Sequence, residues 1–182
     1  MSERRKKNLK NLKNTRLIKG LLSLATKGYF EETGWNLSYI HKESLAADGT
    51  PIPWLTYSLL DFLTERIHKN MTFFEYGSGN STIYFSKLVK KIDAVEDNKE
   101  WLKKVAAEVP ENVNLIYQSL EDTAYENTIL HQEDDYDLVI VDGRKRVKCL
   151  KAAVEKIKND GVLLLDDAER EKYKEAFIFM KE

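Results

Sequence analysis

The chain has one cysteine, Cys149, and three scattered histidines, His41, His68 and His131. A single thiol excludes an internal disulfide and a thiolate metal cluster, and no histidine has a partner at metal-ligand or triad spacing. A zinc finger is thereby ruled out, and hydrolase chemistry lacks support. No apolar run approaches the roughly 20 residues of a membrane span, and the start MSERRKKNLK has no apolar signal core. These absences predict a cytoplasmic protein. The body also lacks a basic groove interleaved with aromatics, which argues against a nucleic-acid partner.

What is present is a polarised charge distribution. Residues 1–30 carry nine Lys/Arg against Glu3 alone, leaving 20 basic and 29 acidic residues in the rest of the 182-residue chain. The sequence is therefore a basic arm on an acidic body. Within the arm, Leu17, Ile18, Leu21, Leu22 and Ala25 form an apolar stripe bordered by Lys10, Lys13, Arg16, Lys19 and Lys27. Such a basic amphipathic helix can rest on an anionic membrane, giving residues 1–30 an expected peripheral contact at the inner membrane surface. The plainer expectation is that the stripe packs on the body.

From Met71 onward, short apolar runs recur as Thr72-Phe73-Phe74, Ile92 to Val95, Val113 to Tyr117, Leu138 to Val141 and Val162 to Leu165. Between them the period turns helical, as in Trp101, Leu102, Val105, Ala106 and Val109, or Val147, Leu150, Val154 and Ile157. Near-continuous apolar strands alternating with helices belong to a parallel sheet covered on both faces. The expected fold is α/β, a doubly wound, mainly parallel sheet, with the domains divided as residues 1–53 and 54–182.

Chemistry concentrates where the first strand ends, in Glu75-Tyr76-Gly77-Ser78-Gly79-Asn80-Ser81-Thr82. The glycines allow positive φ and close backbone approach to a ligand. As a dinucleotide fingerprint the match is poor, because Thr82 stands at the third glycine position and Glu75 would repel a pyrophosphate. A nicotinamide-dependent oxidoreductase is accordingly a weak alternative. An acid before the glycines suits an ammonium group, and Glu96, 19 residues after Gly77, has the spacing of a carboxylate that holds ribose hydroxyls.

The E-x-G-x-G motif at Glu75 to Gly79 resembles that of the class I S-adenosylmethionine-dependent methyltransferases. The resemblance runs from about Trp54 to Asp167, through Val95-Glu96, Asp137 to Gly143 and Asp160 to Asp167. It implies a Rossmann-like sheet of order 3-2-1-4-5 and S-adenosylmethionine as cofactor. Glu75, Gly77 and Gly79 would hold its methionine half, with Ser78 and Ser81 as neighbouring contacts, Glu96 the ribose, and Ser119-Leu120 the adenine edge. In the reversal of a 3-2-1-4-5 sheet, Asp142 faces the Gly77 loop across the crevice.

The carboxylates Asp142, Asp166 and Asp167 also resemble the metal set of catechol-type O-methyltransferases. That likeness implies a magnesium ion on these three residues and Lys145 as base. Read from the residues alone, Asp166 is equally a helix cap, and Lys145 and Arg146 a solvated first turn. Upstream, Pro51-Ile52-Pro53 stiffens the approach to Trp54, Thr56 and Tyr57, lid candidates over the cofactor or simple packing on the sheet.

Together these features predict methyl transfer, with Asp142 or Lys145 taking the proton of a hydroxyl on a small-molecule, sugar or lipid-linked acceptor. The chain stops after the fifth strand and its helix, so two further strands of the family pattern are expected to be missing. A non-catalytic, cofactor-binding module is thus the alternative. The Val162 to Leu165 edge would need cover from the N-terminal segment or from a second copy in a homo-oligomer.

Overall fold

A computed structural model describes residues 13–181. The basic start from Arg4 to Lys10 lies outside the described residues. The chain divides after Ile52 into two compact units.

The first unit contains α1 (Thr15–Lys27), α2 (Tyr29–Glu32) and α3 (Trp35–His41). The side chain of Asn14 caps α1 by accepting from the Leu17 amide at 3.1 Å, satisfying one of the donors orphaned at a helix start. The rings of Phe30, Trp35 and Tyr39 then stack in series, at centroid separations of 4.7 and 5.1 Å. No helix among the described residues is long and apolar enough to cross a membrane.

The second unit begins with α4 (Tyr57–Thr64) and continues as β1 (Thr72–Tyr76), α5 (Asn80–Ser86), β2 (Lys91–Glu96), α6 (Lys99–Ala106), β3 (Val113–Tyr117) and α7 (Ala124–Asn127). It closes with β4 (Tyr136–Val141), α8 (Arg146–Ala153), β5 (Ile157–Leu165) and α9 (Lys174–Phe179). All five strands are parallel, in the order β3-β2-β1-β4-β5. The expected Rossmann-like topology is the one observed.

Every residue of β1 is buried, as befits a central strand covered on both faces. Its aromatic residues seed the core, Phe74 lying 4.9 Å from Tyr76 and 5.3 Å from Tyr136. Next to this core the buried Asp93 and the half-buried Asp137 are each partnered. Asp93 accepts from the Tyr136 hydroxyl and the Asn114 amide, both at 2.8 Å, and Asp137 accepts from the Thr72 amide at 2.7 Å and from Lys158 at 2.9 Å.

The apolar period that carries a helix through Ile157 is broken in the structure. α8 ends at Ala153, and Ile157 opens β5, paired with Tyr136 before a register shift. Apolar residues at 147, 150, 154 and 157 fit a helix face, but Ile157 is taken by strand pairing. Among the described residues β5 pairs with β4 alone, and Val162 is half exposed.

Candidate active site

The crevice opens where the sheet order reverses, between the ends of β1 and β4. The Gly77 amide donates to Val95 O at 2.8 Å, and the Asp142 amide donates to Tyr76 O at 3.1 Å, so three strands end together. Gly77 then turns out of β1 at φ +95°, a left-handed conformation open to glycine at little cost. The cavity over these strand ends measures about 390 Å³, within the range of small-molecule sites. Glu75, Gly77, Ser78, Ser81, Glu96 and Asp142, all candidates from the sequence, are brought together in its lining.

Glu75 is buried, and its carboxylate accepts from the Ser81 hydroxyl and, at 2.5 Å, from the Thr82 hydroxyl. Thr82 in turn accepts from the Gly79 amide at 3.0 Å, coupling the acid to the turn that it underlies. Burial pushes the Glu75 carboxyl up to about 7, against these two hydrogen bonds and with the charges of Asp142 and Glu96 adding to the rise.

Glu96 closes β2 with its carboxylate fixed at both oxygens. Oε1 accepts from the amides of Asp97 (3.0 Å) and Asn98 (2.9 Å), and Oε2 from the Ser78 amide (3.2 Å) and hydroxyl (3.3 Å). The same loop orders a residue that the sequence pattern assigned to a helix stripe. Asn98 caps α6, and Trp101 in its first turn donates Nε1–H to Ser78 O at 2.6 Å, so its ring forms part of the cavity wall. Its exposure of 43% separates it from the buried Val105 of the same helix. Asp97, Asn98 and Arg144 are further lining residues that the sequence did not single out, and Arg146, read from the sequence as part of a solvated turn, lines it as well.

On the β4 side, Arg146 is the centre of the electrostatics. Its side chain is 10% exposed, and it donates to Asp142 Oδ1 at 2.6 Å, Asp166 Oδ2 at 3.1 Å and Asp167 Oδ2 at 3.3 Å. It also donates to the carbonyls of Gly143, Asp142 and Asp166. This overturns its reading as part of a solvated turn. Sequence charge patterning gives no sign of it, because the three acids come from the ends of two different strands. Burial, and next the charge of Asp166, push the Asp142 carboxyl up to about 7, while Arg146 opposes the rise.

The expected magnesium set does not fit this arrangement. Asp142, Asp166 and Asp167 converge on a guanidinium, which fills the position a cation would need, and no metal-holding group of three side chains occurs among the described residues. Lys145 is also displaced from its expected role. It is the N-cap residue of α8, at φ +48°, and turns its Nζ to Glu126 at 2.8 Å and to the Asp122 carbonyl, and it is not part of this cavity's lining. Glu126 is held ionised by this partner, Lys145 and Lys148 lowering its carboxyl despite burial.

The remaining candidates lie apart from the cavity lining. Ser119 Oγ accepts from the Glu121 amide at 3.2 Å, and Leu120 packs on the core cluster. Trp54 is 67% exposed, and Thr56 serves as the N-cap residue of α4, which begins at Tyr57. Cys149 is fully buried, with its thiol on the Arg144 carbonyl at 3.2 Å; burial pushes the thiol well above its usual range.

A parallel sheet with a glycine turn and two acids at its switch point has the architecture in which open α/β sheets place a ligand crevice. The model of a methyltransferase-domain family matches residues 74–168, which include both acids and the Asp142 cluster, and the chain belongs to this family of S-adenosylmethionine-dependent methyltransferases. No curated protein matches the chain significantly.

Solved structures share the fold. A methyltransferase-like protein from Silicibacter pomeroyi superposes with a TM-score of 0.60 at 24% identity, over 71% of this chain and 80% of that one. A putative methyltransferase from Streptococcus mutans, in complex with SAH, gives 0.53 at 22% identity, over 72% and 84%. Precorrin 8W decarboxylase from Methanobacterium thermoautotrophicum gives 0.57 at 17% identity, over 73% and 75%. At such identities the likeness concerns the fold alone.

Proposed function

We propose that this chain transfers the methyl of S-adenosylmethionine to an oxygen nucleophile, with Asp142 as the proton acceptor. The observation that carries the reading is the position of Asp142: it directly follows β4 and lines the cavity, with its side chain 41% exposed and one oxygen held by Arg146. The residues present suit the cofactor. A buried acid, Glu75, under the glycine turn matches an ammonium group, and Glu96 at the end of β2 matches a ribose diol.

Bound S-adenosylmethionine supplies a methyl on a sulfonium, so leaving-group activation comes with the cofactor and the protein aligns, shields and moves one proton. Glu75, ionised by the approach of an ammonium, anchors the donor from below. The Glu96 carboxylate, pinned by the Asp97 and Asn98 amides, turns toward the ribose by exchanging its weaker Ser78 contacts at 3.2 and 3.3 Å. Trp101 shields one side of the turn. As the methyl–sulfur bond broke, leaving the neutral thioether, and the carbon–oxygen bond formed, the acceptor hydroxyl would give its proton to Asp142, whose affinity near neutrality suits a general base.

Release of labelled methyl to a panel of hydroxyl and amine acceptors tests this reading. Transfer to hydroxyl acceptors that falls about 100-fold in Asp142→Asn supports it. Transfer that is unchanged in that variant, or that occurs on amines alone, overturns it.

A further inference from the structure

A second cavity, of about 580 Å³, adjoins the crevice, and the two share Gly143, Arg144 and Arg146 as lining. Its charge is unlike the rest of the protein. Seven of its eleven lining residues are Lys or Arg, and one, Glu175, is acidic. Beyond residue 30 the chain carries 29 acids against 20 bases, so this concentration of positive charge runs against its background.

Four of the seven cations have carboxylate partners close by. Lys145 is on Glu126 at 2.8 Å, Lys151 on Glu175 at 2.6 Å, Arg170 on Asp167 at 2.7 Å, and Arg146 on its three acids. The other three are only loosely matched. Lys148, 66% exposed, stands 3.6 Å from Glu126, Arg144 stands 4.0 Å from Asp97, and Lys172 lies 4.7 Å over the Tyr173 ring with no carboxylate within 4 Å among the described residues. Loosely matched lysine ammonium and arginine guanidinium groups lining one recess recognise phosphate oxygens by charge-assisted hydrogen bonds.

We infer that this basic cavity seats a phosphate group of the methyl acceptor, making the acceptor a phosphorylated small molecule. The inference rests on the methyl-transfer reading and adds its substrate class. Gly143, Arg144 and Arg146 line both cavities and Asp142 lines the crevice, so a phosphate on Lys148 and Lys172 leaves the body of the acceptor to pass over the Gly143 turn toward Asp142. Methyl transfer itself leaves the phosphate unchanged; only the acceptor hydroxyl loses its proton. The acidic crevice and the basic recess thus sort the two reactants by charge, a cationic donor to one and an anionic acceptor to the other.

Calorimetric titration of the full chain with inorganic pyrophosphate, at low and high salt and with or without saturating S-adenosylhomocysteine, tests the inference. The expected result is millimolar or tighter pyrophosphate binding that weakens at high salt and falls at least tenfold in Lys148→Ala/Lys172→Ala, while S-adenosylhomocysteine binds that variant as it binds the wild type. Absence of pyrophosphate binding at low salt, or binding indifferent to the two lysines, overturns the phosphate seat even where S-adenosylhomocysteine binds. Failure of S-adenosylhomocysteine to bind overturns the methyl-transfer reading and with it the assignment of the phosphate to a methyl acceptor. A short single-stranded RNA binding tenfold tighter than pyrophosphate, with the same lysine dependence, overturns the small-molecule class.

Discussion

Gly77 and Gly143 meet at the base of the crevice, so closely that a Cβ on Gly77 would lie 3.3 Å from the Gly143 Cα and one on Gly143 would lie 2.9 Å from the Gly77 amide nitrogen. The Gly143 Cβ would also strike the Tyr125 hydroxyl at 2.1 Å. The β1 and β4 turns can therefore end side by side only without side chains at these positions.

Gly143→Ala is expected to cost about 2–3 kcal/mol of stability by overpacking. Tyr125→Phe in the same chain removes the nearest obstacle and returns part of that loss. Denaturant titration of the two single variants and the double checks this as a cycle. Strictly additive effects would show that the two groups do not meet.

Glu75 ties stability to pH. Its carboxyl is raised from 4.5 to about 7 in the folded chain, so the protonated form is favoured by folding. The stability contributed is full below about 4.5 and is lost as pH rises through 7. Glu75→Gln carries no charge to bury, and its stability relative to wild type should therefore grow by about 3 kcal/mol between pH 4.5 and 8. Thermal melts across that interval give the measurement; parallel curves for the two proteins would refute the buried charge.

Arg146 should set the protonation of Asp142. Removing it in Arg146→Ala leaves three acids facing one another, which raises the Asp142 carboxyl further and moves the acidic limb of kcat upward by about one pH unit. Stability falls by about 2–3 kcal/mol, below the figure for a fully buried pair because the acids are partly exposed. A pH–rate profile whose limb stays in place would assign Arg146 to packing alone.

The fold was legible because it follows from local signals. Apolar runs at regular intervals, separated by helical periods, specify strands and crossovers, and crossover handedness leaves few topologies. The crevice residues before and after Gly77 were legible for a related reason: Glu75, Ser78, Ser81 and their glycines lie within one strand–turn–helix segment, so spacing alone puts them together. What was hidden depends on contacts between segments. Arg146 gathers acids that lie 4 residues before it and 20 and 21 residues after it, and only the packing of β4 beside β5 brings those together. The magnesium expectation failed for that reason, since three acids in sequence look alike whether a metal or a guanidinium lies among them. Lys145 was drawn off by Glu126, on a segment with no strand or motif to mark it. Trp101 was concealed by its helical spacing, which does not distinguish a core residue from one that reaches a neighbouring turn.

The most direct test of the account is calorimetric titration of S-adenosylhomocysteine into the wild type, Glu96→Gln and, in parallel, titration of NAD. One site per chain is expected for S-adenosylhomocysteine, with an affinity lowered about 30-fold or more in Glu96→Gln by loss of about 2 kcal/mol of charge-assisted hydrogen bonding, and no binding of NAD. No binding of S-adenosylhomocysteine, an affinity unchanged in Glu96→Gln, or a preference for NAD would contradict it.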